Sequence, residues 1–400
     1  MRVCAFILAL LMCVAAVVPF TAVASEQVIT NKDFGNYQTM DVYKFVEEFS
    51  TRFPSRIAGT ETERQAAQYI KQQFETILPT EQSSVELQSI NGESYNVVAT
   101  LTSPVSQGYR IIIGAHYDSV LGSEGAQDNA SGVAALLEIA KRLVTFDRHF
   151  DVDIVFVAFG SEELGLVGSQ YFADSMSSID VERTLMMINM DSIAGGDNLY
   201  LHCETVSNDM EKFFIANSPD YSELYVKPYS NGVVAMPSIL GGYYETLLNA
   251  DQAVFRAKGI PTALFISGNY STMAWDYIES TDKSFCVMNS TSDTFANLSR
   301  RQAEFVKKIE TVTDTIVNTI VAEGFITMAK NARNGLVNLD IVYSTRLPLL
   351  VKLVALIVLA VFAWRYYKKL QKNSYINKSS AQGTGNKVFV TPDADDVFDL

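Results

Sequence analysis

Short apolar segments rich in β-branched residues alternate along this chain with segments of helical spacing. Strands that alternate with helices are typical of α/β folds, in which helices cover both faces of a parallel sheet. Strands of such a sheet are buried on both sides, so they are expected to be continuously apolar. The sequence therefore predicts a largely parallel sheet with helices on both faces and with strands over residues 95–101, 110–114, 152–159, 185–190, 199–203 and 262–266.

The helical segments carry an apolar residue at about every third or fourth position, which predicts helices with one or more buried faces. A turn at Pro54-Ser55-Arg56, followed by the polar residues from Gly59 onward, divides residues 40–78 into two helices. Further helices are predicted over residues 132–146, 166–176, 209–216 and 300–322.

Two apolar segments near the chain ends are typical of targeting and anchoring. Arg2, the apolar run 3–20 and the small residues before Ser25 predict a signal peptide over residues 1–24. Residues 347–367 are long and apolar enough to cross a bilayer as one helix, although a buried core helix is the alternative.

Basic residues cluster from Arg365 to Lys378, directly after the second apolar segment. The positive-inside rule then predicts a cytoplasmic tail over residues 368–400, whose polar and acidic composition favours disorder. We therefore expect a single-pass membrane protein with an extracytoplasmic domain of residues 25–345.

Charge and cysteine content limit the partners and the cross-links. A net charge of −14 disfavours nucleic acid as a partner. Cys4 and Cys13 lie in the predicted signal peptide, which leaves Cys203 and Cys286. An extracytoplasmic compartment would permit a disulfide between these two, and two free buried thiols are the alternative.

Polar and acidic side chains directly follow three of the predicted strands. Ligands of an open parallel sheet bind at the carboxyl ends of its strands, so we expect these side chains to meet. Another carboxylate comes twelve residues after the first of them, where a helix begins. The residues are His116 and Asp118 after the strand 110–114, Asp128 at the helix start, Glu162 and Glu163 after 152–159, and Asp191 after 185–190.

One imidazole among several carboxylates is a ligand set suited to Zn²⁺ and its neighbours. Carboxylates packed together repel one another unless a cation neutralises them. A carboxylate that bridges two metals lets both polarise one water and a substrate carbonyl. Taken singly, these elements are ordinary surface turns, solvated loops or a helix N-cap, but their order and placement together favour a metal site.

Four motifs in order carry a family resemblance: His116-Tyr117-Asp118, Asp128-Asn129-Ala130-Ser131-Gly132, Glu162-Glu163-Leu164-Gly165 and Asn189-Met190-Asp191. They resemble the M28 family of zinc exopeptidases over most of residues 40–325. The resemblance implies a zinc-dependent aminopeptidase that hydrolyses N-terminal residues of peptides by metal-activated water.

The resemblance also implies a role for each site residue. His116 and Asp191 would be terminal ligands of the first zinc, Asp128 would bridge both zincs, and Glu163 would be a ligand of the second. Glu162 would be the general base, which takes a proton from the water and returns it to the leaving amine. Asp118 would lie behind His116 and orient its ring.

The chain departs from the family pattern at two positions. Asn289 stands where the second zinc is expected to have a histidine, four residues before Asp293-Thr294, and Gln252 stands where the family usually has a histidine. His202, on the strand 199–203, is the spare candidate ligand, although a partly buried strand residue is the favoured interpretation.

Three outcomes follow from Asn289. It can bind a second metal weakly through its amide oxygen, the enzyme can work with one metal at the first site, or the domain can have lost turnover and bind peptides or a partner protein. Retention of Glu162 and the first site favours catalysis. A glutaminyl cyclase is less favoured, because such relatives keep the Asp–Glu–His set that is broken here. A carboxypeptidase would need a basic carboxylate pocket, which the sequence does not identify.

Overall fold

The computed structural model describes residues 40–146, 150–196, 198–205, 209–219, 224–225, 250–268 and 287–335. Within these residues, eight strands form one sheet with helices packed on both of its faces. The strands are β1 (Ser83–Ile90), β2 (Ser94–Leu101), β3 (Arg110–His116), β4 (Asp153–Phe159), β5 (Thr184–Asp191), β6 (Asn198–Glu204), β7 (Leu224–Tyr225) and β8 (Thr262–Gly268).

The helices correspond closely to the segments of helical spacing. An irregular turn, Ala126–Ala130, with non-helical backbone angles at Asp128 and Asn129, leads into α3. A 3₁₀ turn, Ser299–Arg301, leads into α9, and residues 325–335 are helical as well. The α-helices are α1 (Val42–Arg52), α2 (Glu61–Ile77), α3 (Ser131–Thr145), α4 (Val167–Ser175), α5 (Ser178–Arg183), α6 (Asp209–Ala216), α7 (Gln252–Ala257), α8 (Phe295–Leu298) and α9 (Gln302–Val321).

The sheet is mixed, with the order β1-β2-β4-β3-β5-β8-β6-β7. Its four central strands, β4, β3, β5 and β8, are parallel, as the alternation with helices predicts. The prediction of a largely parallel sheet holds for this centre, whereas β2 pairs antiparallel with β4 and β6 pairs antiparallel with β8. The edge strand β7 pairs parallel with β6.

The antiparallel flank at β1 and β2 has a local cause. A turn at Asn91-Gly92, where both residues have positive φ angles of 52° and 81°, joins the two strands as a hairpin. Strands joined by so short a turn can pair only antiparallel. The strand β1 was not predicted, because its exposed and half-buried positions give it little apolar character.

The two faces of the central strands contribute to two separate apolar clusters. Ile111 and Ile113 belong to a large cluster with apolar residues of α1, α2, α3 and α9. Ile112 belongs to a second cluster with Phe172 of α4 and Phe255 of α7. Because successive side chains of a strand point to opposite faces, this division confirms helices on both faces of the sheet.

Several expectations concern residues outside the described part of the chain. These are the signal peptide over 1–24, the membrane helix over 347–367, the tail over 368–400, and Cys286. In the part of the chain that the structure describes, no helix combines the length and apolar character needed to cross a bilayer. Cys203 forms no disulfide with another described residue, and burial raises the pKa of its thiol well above its ordinary value.

A buried carboxyl group on α3 makes the stability of the fold depend on pH. Glu138 accepts a hydrogen bond from the Met40 N–H at 3.0 Å, and burial raises its pKa to about 7, against the opposing effects of Met40 and Arg142. A raised carboxyl pKa means that the folded state holds the proton more tightly. Its stabilising contribution is therefore complete below the ordinary pKa of 4.5 and is lost as the pH rises through about 7.

We expect Glu138→Gln to remove this dependence, because the amide stays neutral at every pH. On going from pH 5 to pH 8, the unfolding free energy of the variant should rise by about 1–2 kcal/mol relative to that of the wild type. This range is smaller than the pKa shift of Glu138 alone would give, because residual contact with solvent weakens the effect. Urea unfolding of chelator-treated protein at both pH values measures this, with the exposed Glu86→Gln as control. Equal pH dependence in all three proteins would contradict it.

Candidate metal centre

The centre lies at the carboxyl ends of the parallel strands, as the sequence predicts. His116 is the last residue of β3 and Asp191 is the last residue of β5, and these two strands are paired through Gly114 and Asn189. The irregular turn Ala126–Ala130, which leads into α3, places Asp128 at the same edge. Residues that are 75 apart in sequence are thereby brought into contact.

Three side chains converge on one point. The Nε2 atom of His116 lies 3.1 Å from Oδ1 of Asp128 and 3.2 Å from Oδ1 of Asp191. One ligand atom from each residue lies within 4.8 Å of the other two, and all three residues are buried or nearly so. An imidazole nitrogen and two carboxylate oxygens at this spacing fit a zinc ion between them.

Asp118 connects the imidazole to the neighbouring loop. Its Oδ1 atom lies 3.5 Å from Nδ1 of His116, on the ring side opposite the converging carboxylates. The same carboxylate accepts the backbone N–H groups of Glu162 and Glu163 at 2.9 and 3.1 Å. Asp118 therefore lies beside the His116 ring and fixes the start of the loop after β4.

Glu162 and Glu163 titrate far from their ordinary range. Burial raises the pKa of Glu162 to about 10; His116 opposes this shift, while Asp251, Asp191 and Asp118 add to it. Burial and then the charge of Asp128 raise the pKa of Glu163 to about 9. Such carboxyl groups hold protons at neutral pH unless a cation lies beside them.

The pKa values of Asp191 and His116, two of the three converging residues, are raised as well, which shows that a positive charge is favourable here. Burial raises the pKa of Asp191. Burial alone would lower the pKa of His116, but Glu162 and the three surrounding aspartates together raise it well above its ordinary value. A divalent cation held by these groups would supply the charge that they otherwise take from protons.

Asn289, at the position of the expected histidine, lies against Glu163. With its amide nitrogen directed at the carboxylate, Asn289 donates to Oε1 at 3.1 Å and to Oε2 at 2.8 Å. Its φ angle is +57°, a left-handed conformation that asparagine adopts more readily than most residues. The structure thus brings Asn289 to the second half of the site, where it contacts one predicted ligand of the second metal.

The other spare positions do not join the centre. His202, on β6, lies 3.9 Å from Oε1 of Glu204 and outside the converging group, and burial followed by the charge of Arg256 lowers its pKa to about 4. Gln252 accepts a hydrogen bond from Asn189 at 3.0 Å, which ties α7 to β5. The favoured interpretation of His202 as a strand residue fits this placement.

Sequence reasoning missed the role of Arg56, which it assigned to a polar turn. The guanidinium is fully buried and donates to the carbonyl oxygens of Phe53, Tyr117, Glu124 and Gly125 at 2.5 to 3.0 Å. It thus joins the loop that follows His116 to the segment that leads into Asp128. Burial lowers its pKa to about 10, while the surrounding carboxylates oppose that shift.

Asp293 was noted only as part of an Asp-Thr pair, and its role was also missed. This fully buried carboxylate accepts the backbone N–H groups of Gln127 at 2.7 Å and of Asp128 at 2.9 Å. It therefore positions the backbone of a predicted metal ligand. Its pKa is raised to about 7 by burial and by the charge of Asp128, while the N–H groups oppose the shift. The proximity of Asp293 to Asn289 in sequence was the available signal.

Known proteins share this fold and its sequence pattern. The model of peptidase family M28 matches residues 96–346. Aminopeptidase YwaD of Bacillus subtilis is 27% identical over 210 residues, which cover 50% of this chain and 42% of that protein. The chain spans about half the length, or less, of the curated relatives that it matches.

Solved structures agree in fold. A zinc aminopeptidase from Bacillus subtilis superposes with a TM-score of 0.54 at 18% identity, covering 71% of this chain and 95% of that one. A glutaminyl cyclase from Porphyromonas gingivalis gives a TM-score of 0.51 at 19% identity, covering 70% and 96%. At these identities the likeness concerns the fold alone. The family model, however, spans more than half of the sequence, and the chain belongs to peptidase family M28.

Proposed function

We propose that this chain is a zinc-dependent aminopeptidase, which releases N-terminal residues from peptides. The observation that carries the proposal is the convergence of His116, Asp128 and Asp191 within 4.8 Å of one another, in the same cluster of charges as Glu162. Family membership and the names of relatives such as Aminopeptidase YwaD support the same activity.

His116, Asp128 and Asp191 would hold the first zinc ion. A zinc ion bound there would supply Lewis acidity, which would lower the pKa of a water molecule and polarise the substrate carbonyl. Glu163 and Asn289, together with Asp128, would form a second and weaker site, because an amide oxygen is a poorer zinc ligand than an imidazole. The proposal is therefore one firmly held zinc and a second that is loose or absent.

Glu162 is the proposed proton carrier. Its raised pKa shows that this environment favours the protonated form, and added positive charge lowers the pKa again toward neutrality. A carboxyl group whose pKa lies near neutrality can take a proton from water and give it to the leaving amine. The carboxylate of Asp118 accepts a hydrogen bond from the backbone N–H of Glu162 at 2.9 Å, which fixes the backbone from which the Glu162 side chain extends.

A catalytically silent binding domain was the alternative, and nothing in the described site favours it. Of the residues that the resemblance assigns to the metals and the base, only the histidine at position 289 is replaced, and the five that the chain retains cluster near the carboxyl ends of β3, β4 and β5. We also propose that residues 347–367 anchor the domain outside the cytoplasm. The apolar composition of that segment and the basic residues that follow support this location.

The activity is tested with the full purified chain and a panel of aminoacyl chromogenic substrates and short peptides. We expect hydrolysis from the N-terminus, at least about 100-fold loss after chelation of zinc, and recovery after zinc is added back. Zinc analysis of the same sample should show one tightly bound ion. Stoichiometric zinc without turnover of any substrate would overturn the proposal in favour of a binding domain.

A further inference from the structure

Two buried side chains hold the loops of the centre in a reciprocal arrangement. The carboxylate of Asp293 accepts the N–H groups of Gln127 and Asp128, at 2.7 and 2.9 Å. In the opposite direction, Oε1 of Gln127 accepts the N–H of Val287 at 3.0 Å, two residues before Asn289. Each loop therefore supplies the side chain that binds the backbone of the other.

Further contacts make this arrangement rigid. The N–H of Glu124 donates to the carbonyl oxygen of Asp293 at 3.0 Å, and the N–H of Phe295 donates to Oε2 of Glu124 at 2.8 Å. Gly195 borders the Gln127 amide so closely that a Cβ atom there would lie 2.1 Å from its oxygen. Gln127 is thus confined between the segment that follows Asp191 and the segment that carries Asn289.

We propose that Gln127 and Asp293, named here the loop clamp, are positioning residues that hold Asn289 opposite Glu163. The backbone around the second metal position is then already in place, and the site lacks only a strong ligand at position 289. The clamp fixes Asp128 and Asn289 relative to each other, so the exchange of one side chain is enough to complete the site. This inference rests on the proposed function, since it assumes zinc at the first site.

The expected consequence is that Asn289→His creates a second zinc site only while the clamp is intact. Gln127→Met keeps the length of the side chain and removes the acceptor for the Val287 N–H. Zinc titration should show that Asn289→His tightens the second ion by about 10- to 100-fold, because an imidazole is a stronger zinc ligand than an amide oxygen. In the Gln127→Met background, the gain should fall to about 3-fold or less, with the first ion little changed.

A matched control distinguishes the effect of breaking the loop clamp from the effect of replacing any glutamine by methionine. Gln170 lies on α4 with its amide on the exposed surface, bound to Asp174 at 2.8 Å. Gln170→Met should leave the full gain of Asn289→His. An equal gain with and without Gln127, or no gain while the first zinc binds normally, would overturn the inference.

Hydrogen exchange tests the clamp without any metal. In the chelated protein, Gln127→Met should speed exchange of the peptide that contains Val287 by about 10-fold or more, while Gln170→Met should not. Unchanged exchange there would also overturn the inference. A wild-type protein that binds no zinc would contradict the proposed function instead, and the exchange result would still decide whether the clamp exists.

Discussion

Replacement of Glu162 by glutamine should abolish most of the turnover while leaving zinc in place. The amide has nearly the same shape as the carboxylate but cannot carry a proton, and a general base contributes about 10²- to 10⁴-fold to the rate. The three atoms that converge for zinc belong to His116, Asp128 and Asp191, so the metal content should stay the same. We expect a loss in kcat of that size with a smaller change in KM.

Steady-state kinetics on the best substrate of the panel, with zinc analysis of each preparation, measures this effect. Glu93→Gln is a suitable control, because Glu93 is exposed in the turn between β1 and β2. A Glu162→Gln variant with zinc content and kcat both near the wild type would rule out Glu162 as the proton carrier. A variant that loses zinc would show instead that this carboxylate helps to bind the metal.

Replacement of Arg56 by methionine should give the largest loss of stability. Methionine fills similar space but removes the guanidinium donor from the carbonyls of Phe53, Tyr117 and Glu124, while the Gly125 carbonyl keeps the Ala130 N–H. Each buried acceptor left without a partner costs about 1–3 kcal/mol. The neighbouring carboxylates also lose a buried positive charge. We expect the unfolding free energy to fall by about 3–5 kcal/mol, as when one partner of a buried charged network is removed.

Arg52 provides the matched control for this test. It lies four residues earlier, in the last turn of α1, with an exposed guanidinium 5.1 Å from the ring centres of Phe53 and Tyr69. Arg52→Met should cost about 1 kcal/mol or less, since exposed ion pairs and cation–π contacts are weak. Urea unfolding of both variants gives the comparison. Similar losses of unfolding free energy in both variants would show that the buried hydrogen bonds of Arg56 stabilise the fold no more than the surface contacts of Arg52 do.

The strands at the centre of the sheet could be predicted from sequence because burial on both faces leaves an unbroken apolar run. The predicted segments 110–114, 185–190 and 262–266 each lie within β3, β5 and β8. Their carboxyl ends could then be located, and with them His116 and Asp191. The edge strand β1 could not, because its exposed positions are polar and its pairing is decided by the turn at Asn91-Gly92.

The supporting residues of the site were not predictable, because their partners lie far away in sequence. Arg56 binds Gly125 across 69 residues, and Asp293 binds Asp128 across 165. Nothing local distinguishes such an arginine from one in a solvated turn, or such an aspartate from a helix cap. Candidate metal ligands can be predicted from residue type and sequence order, whereas the side chains that hold the loops are recognised only from contacts in the structure.

The pairing of β3 with β5 decides when during folding the metal centre can exist. These strands supply His116 and Asp191, and their contact closes a loop of 75 residues that contains β4, α3 and α4. Long closures of this kind are slow relative to the formation of local helices and hairpins. We therefore expect zinc to bind after β3 and β5 have paired, and to stabilise the assembled sheet by mass action rather than to start its folding.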